Sequence, residues 1–190
     1  MDRRLSMSLA VLCLAGAAVA YSAAQPSSPS ADTPDARVAR GHYLVEAVGC
    51  ADCHAPKAFG PAGPVPDAAR SLSGHRQELA LPPAPAASGP WIASTTGELT
   101  AWSGPWGTSF AANLTPDVET GLGSWSEEEF VATIRTGRTR GRGRELLPPM
   151  PIPAFQHFSD ADLRAIWAYL RSLPPISNRV PQPLPPPGAN

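Results

Sequence analysis

Cysteine and methionine are scarce in this 190-residue chain, at three of each. No second Cys-x-x-Cys and no His pair at metal spacing accompanies the one thiol pair at Cys50 and Cys53, which argues against a zinc site even with His42, His75 and His157 as candidate fourth ligands. Neither sign of charge dominates, since 15 Lys and Arg against 16 Asp and Glu leave a net charge of −1. A protein that grips nucleic acid or an anionic membrane surface needs a clear excess of Lys and Arg, so neither is expected as a partner. Beyond the first twenty residues there is no apolar run approaching the roughly 20 residues of a membrane span. The length suits one domain with a real hydrophobic core.

What the N-terminus does have is Arg3 and Arg4 followed by the apolar run Leu9 to Ala20, closing on Ala18-Val19-Ala20. That is the pattern of an export signal over residues 1–20, bound for the periplasm; left uncut, it would act as an N-terminal membrane tether. Cleavage after Ala20 would remove Cys13, Met1 and Met7, and would take the net charge to about −2. The mature chain would then hold two cysteines, both in Cys50-Ala51-Asp52-Cys53, and one methionine, Met150. Residues 21–35, rich in Ser, Pro and Ala, read as a flexible linker.

The expected domain covers residues 36–175. Val38, Gly41, Leu44, Val45 and Val48 recur at helical spacing and lead into Cys50. Residues 55–112 hold many Pro and Gly and show no sustained period, yet Trp91, Trp102, Trp106 and Phe110 supply aromatic area. They are expected to form an ordered, irregular insertion with a short hairpin around Trp91 to Trp102. Ser126 and Glu129 form a capping box for a second helix that Gly137 can stop, and Ser159 caps a third with Leu163, Ile166, Trp167, Leu170 and Leu173 on its buried face. Pro174-Pro175 end it, and a proline-rich tail over 176–190 is expected to be extended.

Cys50-x-x-Cys53-His54 places two thiols and an imidazole at the spacing that haem attachment needs. Each thiol can add to a haem vinyl group as a thioether, and the adjacent His54 then lies under the iron as an axial ligand. A thioredoxin-like pair would follow a strand and open a helix, whereas here a helix precedes the motif and Pro56, Gly60 and Pro61 come soon after. A disulfide across two residues is strained and rarely only structural.

Met150 is held in Leu147-Pro148-Pro149-Met150-Pro151-Ile152-Pro153, where each proline fixes its own φ and restricts its neighbour. Such a loop suits a second axial ligand, with His75 and His157 as alternatives; the other reading of a Met is core filler. With two axial ligands the iron keeps no open position, which favours electron transfer over oxygen chemistry. The second nitrogen of a ligating His usually donates to a carbonyl, for which Pro61, Pro64 and Pro66 are candidates. Arg135, Arg138, Arg140, Arg142 and Arg144 precede the Met loop and are read either as a solvated loop or as a stretch that holds haem propionates or docks an acidic redox partner.

This order of parts resembles the class I cytochromes c, over residues 36–54 and 113–173. Asn113-Leu114-Thr115-Pro116-Asp117, Glu119-Thr120-Gly121-Leu122-Gly123, Trp125 and Pro148-Pro149-Met150-Pro151 look like the bacterial monohaem branch, whose relatives include cytochrome subunits of periplasmic dehydrogenases. The resemblance implies an all-α class I fold of about three main helices around one covalent haem c. It implies a crossing of Gly41 with the run Ile166 to Leu170, and Trp125 as a donor to a haem propionate. It also implies an electron carrier and not an enzyme, with a dehydrogenase as donor and an oxidase or another cytochrome as acceptor. The alternatives are a five-coordinate haem enzyme or sensor, and a fixed subunit of a dehydrogenase complex.

Overall fold

The computed structural model describes residues 33–85 and 89–186. The expected export signal and most of the linker lie outside the described residues. The first helix, α1 (Pro34–Ala47), begins where the Thr33 hydroxyl accepts from the Ala36 N–H at 3.2 Å and Pro34 takes the first position. It buries Gly41, Leu44 and Val45. Gly49 then turns the chain at φ 69, and α2 (Cys50–His54) carries the thiol motif. That left-handed conformation favours glycine at this turn.

The insertion forms two small antiparallel sheets, which corrects the all-α expectation. Strands β1 (Lys57–Gly60) and β2 (Gly63–Pro66) make a hairpin with Ala58 opposite Val65. Strands β3 (Ser94–Thr95), β4 (Ala101–Gly104) and β5 (Gly107–Phe110) make a three-stranded sheet in which Trp102 faces Thr95 on one side and Ser109 on the other. The expected hairpin around Trp91 to Trp102 is therefore the β3–β4 pair, with β5 added beyond it. These strands are two to four residues long, too short for alternation to stand out from a background rich in Gly and Pro.

The remaining helices are α3 (Glu127–Thr136), α4 (Ile152–Phe155) and α5 (Asp160–Ser172). Helix α3 opens on the Ser126/Glu129 capping box and ends at Gly137 in the left-handed conformation, φ 67; α5 opens on Ser159 bonded to the Asp162 N–H. Ion pairs of Arg164 with Glu127 and of Arg135 with Asp160 join the two helices at the surface. Leu44, Val45, Phe130, Ile134, Ile166 and Leu170 meet in one core.

Asn113-Leu114-Thr115-Pro116-Asp117 and the glycines after it make a tight loop with a buried polar centre. Asn113 Oδ1 accepts from the Thr115 N–H at 3.0 Å and its hydroxyl at 2.8 Å, and Asn113 Nδ2 donates to the carbonyl of Ile176 at 2.8 Å. The tail is thus not a free extension. Asn178, 7% exposed, donates to the carbonyls of Ser73 at 2.7 Å and His75 at 2.8 Å and accepts from the Gln77 N–H at 3.0 Å. Farther on, Leu184 exchanges two backbone bonds of 2.9 Å with Thr108 of β5.

Helices α1 and α5 cross where a Cβ on Gly41 would overlap the Ala165 carbonyl oxygen. We predict that Gly41→Ala lowers stability by about 1–3 kcal/mol despite the better helix propensity of Ala, because the obstacle is backbone. Denaturant unfolding of the holoprotein measures this; equal stability would mean the helices can separate without loss. Asp117 is a second test. The Thr120 hydroxyl and N–H donate to its carboxylate at 2.6 and 2.7 Å and hold its pKa below the usual 3.8. Folding therefore favours the charged form, a contribution complete above pH 4 and lost as pH falls through the lower folded value. Asp117→Asn should flatten the fall of melting temperature below about pH 4.

Candidate functional site

The geometry of α2 turns Cys50, Cys53 and His54 toward a cavity of about 930 Å³. Met150 and Trp125 line the same cavity, so the five residues singled out from the sequence stand around one space. Phe130, Ile134, Leu163, Ile166 and Leu170 close its inner side, drawn from the apolar faces of α3 and α5. Its size lies near the top of the range of roughly 300–1,000 Å³ for small-molecule sites.

His54 Nδ1 lies 2.8 Å from the carbonyl oxygen of Ala112. A carbonyl only accepts, so Nδ1 carries the proton and Nε2 keeps its lone pair. The acceptor is therefore Ala112 and not Pro61, Pro64 or Pro66. Those three belong to the β1–β2 region; the chain instead returns to His54 after β5, across a separation in sequence that local spacing does not reveal. Burial among protein atoms pushes the His54 pKa below its ordinary value, with the Ala112 bond opposing the shift. The neutral imidazole is the form that can ligate a metal.

Both thiols are free. Burial pushes Cys50 up to about 11, and burial with the nearby Asp52 carboxylate raises Cys53. A redox-active pair is usually shifted the other way, toward thiolate.

Of the alternative axial residues, neither reaches the cavity wall. His75 is fully buried elsewhere, with Nδ1 2.9 Å from the Thr100 hydroxyl and its ring 4.9 Å from that of Phe110. His157 is exposed beyond α4. The arginines divide. Arg135 donates to the carbonyls of Gln156 and Phe158 and pairs with Asp160, and Arg138 donates to the Gly143 carbonyl at 3.0 Å. Arg140 pairs with Glu129 at 2.6 Å and stacks 4.9 Å above the Trp125 ring. Arg140, Arg142 and Arg144 line the cavity. Partial burial holds the Arg144 guanidinium below its ordinary range.

Sequence reasoning missed Ala112, which shows no side-chain signal, and the tail, whose residues Arg179 to Pro183 form part of the cavity wall. The buried anchor Asn178 beside them was hidden in a proline-rich stretch. The sequence also left α4 unseen, because a single turn with prolines at 151 and 153 carries no periodicity.

Two thiols, an imidazole, a thioether and apolar side chains line one cavity. The chain belongs to the cytochrome c family, whose model matches residues 38–174. It is 29% identical over 160 residues to the fructose dehydrogenase cytochrome subunit of Gluconobacter japonicus, covering 84% of this chain and 26% of that one. It is 32% identical over 136 residues to the gluconate 2-dehydrogenase cytochrome c subunit of Pantoea cypripedii, covering 71% of this chain and 23% of the relative. A diheme cytochrome c-type protein of Cereibacter sphaeroides is 29% identical over 190 residues, 96% of this chain and 52% of the relative. The chain thus spans at most about half the length of these relatives.

Family membership brings a covalently attached haem c, and the residues fit that group: free thiols beside an imidazole whose other nitrogen is already engaged, at the wall of a cavity large enough to receive it. Because the tail completes the cavity wall, we predict that Asn178→Ala costs about 1–3 kcal/mol, the usual penalty for leaving buried backbone groups unpaired. Limited proteolysis of the holoprotein should cut within 174–186 sooner in the variant. Unchanged protection would show that the bonds at Ile176 and Leu184 suffice to hold the tail.

Proposed function

We propose that this protein is a periplasmic one-electron carrier with one haem c, attached through Cys50 and Cys53 and ligated by His54 and Met150. The haem, when bound, supplies an iron that cycles between Fe(II) and Fe(III). The observation that carries the reading is the placement of Met150 on the same cavity as the thiol motif, with His75 and His157 away from it. His54 is held in one tautomer and orientation by Ala112, so little needs to rearrange when the charge at the iron changes. A thioether opposite an imidazole favours the reduced state and raises the potential. Trp125 and Arg144 line the cavity and are the residues proposed to hold haem propionates.

Export through residues 1–20 and a folded domain over 36–175 belong to the same reading. The chain would receive electrons from a dehydrogenase and pass them to an oxidase or another cytochrome. A second reading, favoured by the fructose dehydrogenase relative, is a cytochrome subunit fixed to one dehydrogenase. Isolation from the native periplasm separates the two: a free carrier elutes alone, a subunit with a large partner.

The ligand set is tested on protein matured with haem-attachment machinery. Haem should survive acid-acetone extraction, reduced bands should be sharp and low-spin, and a weak thioether-to-iron band at the red end should vanish in Met150→Ala with a fall in reduction potential. A high-spin spectrum that responds to carbon monoxide or cyanide would replace the carrier by a five-coordinate enzyme or sensor.

A further inference from the structure

The Met150 loop has an unusual difficulty in staying fixed. Pro148, Pro149 and Pro151 have no N–H to donate, and the Met150 N–H makes only a long bond of 3.3 Å to the Leu147 carbonyl. Such a loop must be tied through its carbonyl oxygens. One tie comes from the insertion: Ser109 Oγ in β5 lies 2.5 Å from the carbonyl oxygen of Pro148. The hydroxyl has a single proton, and its other acceptor, the Trp102 carbonyl, is at 3.3 Å, so the proton goes to Pro148. Ser109 is only 8% exposed and lines the cavity.

The strand segment that presents this hydroxyl is itself rigid. Ala111 donates to the Thr100 carbonyl at 2.8 Å and accepts from the His75 N–H at 2.9 Å, and Thr108 is paired on its other edge with Leu184. Three residues after Ser109, the Ala112 carbonyl accepts a hydrogen bond from His54 Nδ1–H. One short stretch, 109–112, thus contacts both sides of the cavity: the thiol-motif helix through Ala112 and the Met loop through Ser109.

We infer that Ser109 is a positioning residue for Met150: its hydroxyl ties the Pro148 carbonyl, and with it the Met loop, to the strand that orients His54. This rests on the proposal that Met150 is an axial ligand. It assigns the insertion a role in the site, namely to fix the two ligand-bearing segments relative to each other.

The test is competition for the sixth position in the ferric holoprotein. Imidazole is titrated against the thioether-to-iron band in the wild type and in Ser109→Ala, Ser109→Thr and Ser109→Val. Losing the tie should lower the half-saturating imidazole concentration by about fivefold in the Ala variant, as expected for one hydrogen bond. Thr retains the hydroxyl and should behave like Ser, whereas Val, of nearly the same shape, should behave like Ala. If Ser109→Ala does not accumulate, the Thr–Val comparison gives the same answer. Thermal unfolding followed by far-ultraviolet circular dichroism is run beside it; a purely structural role would lower the melting temperature without shifting the imidazole titration.

Equal half-saturation in Thr and Val, with the band present in the wild type, overturns the inference alone. A wild-type band that is absent, or that persists in Met150→Ala, overturns the ligand assignment and this inference with it.

Discussion

The crossing of α1 and α5 at Gly41 governs where the remaining parts can stand. The backbone of α5 lies against α1 where any side chain on Gly41 would collide with the Ala165 carbonyl, and Tyr169 packs across the same spot. That closeness brings Leu44 and Val45 onto the face of α5 that carries Ile166 and Leu170. It also sets the starting point of α2, since only Val48 and the left-handed Gly49 separate the helices. The thiol motif is consequently presented at the edge of the core and toward the cavity, and the residues lining its far side come from α3 and the Met loop.

A protein this rich in irregular backbone must still pair its buried polar groups, since each one left bare costs about 1–3 kcal/mol. Asn113 and Asn178 do much of this. Asn113 uses both amide atoms inside the loop before α3 and reaches the tail at Ile176; Asn178, on the tail, reaches back to Ser73, His75 and Gln77. The two amides cross-link the insertion, the central loop and the tail in the absence of long helices or strands there. This accounts for how a chain with 24 prolines can line a defined cavity: side-chain bonds to backbone supplement the few short backbone pairings.

The parts legible in the sequence were those whose physics is local. The capping box at Ser126, the glycine stop at Gly137, the Ser159 cap and the spacing of Leu44, Ile166 and Leu170 each act within a turn or two, and each is found where local rules place it. The Gly41 crossing was legible through resemblance. What escaped depends on contacts between distant residues. Nothing near His54 marks Ala112 as its acceptor, 58 residues away, and nothing in Ser177-Asn178-Arg179 marks a buried anchor. The proline count gave an expectation of an extended tail but was silent on where it docks. The two small sheets escaped for a different reason, because Gly, Pro and Ser supply no alternation in strands of four residues or fewer.

The arginine stretch shows how a charge pattern changes meaning once partners are known. Five arginines within ten residues look like a basic docking face for an acidic protein. In the structure, Arg135 is stitched to the turn before α5, Arg138 to the Gly143 carbonyl, and Arg140 to Glu129 and the Trp125 ring. Arg142 is exposed, and it shares Glu129 at 3.9 Å. Arg144 faces the cavity without an ion-pair partner among the described residues. Two carboxylates, Asp160 and Glu129, offset two of the five charges, so the field offered to a partner is reduced to that extent. Exposed pairs are screened within about 10 Å at ordinary salt, so encounter through this stretch would gain little from steering. Of the arginines that keep charge, Arg142 and Arg144 line the cavity while Arg138 stands exposed outside it, so the stretch is divided between the cavity and the surface.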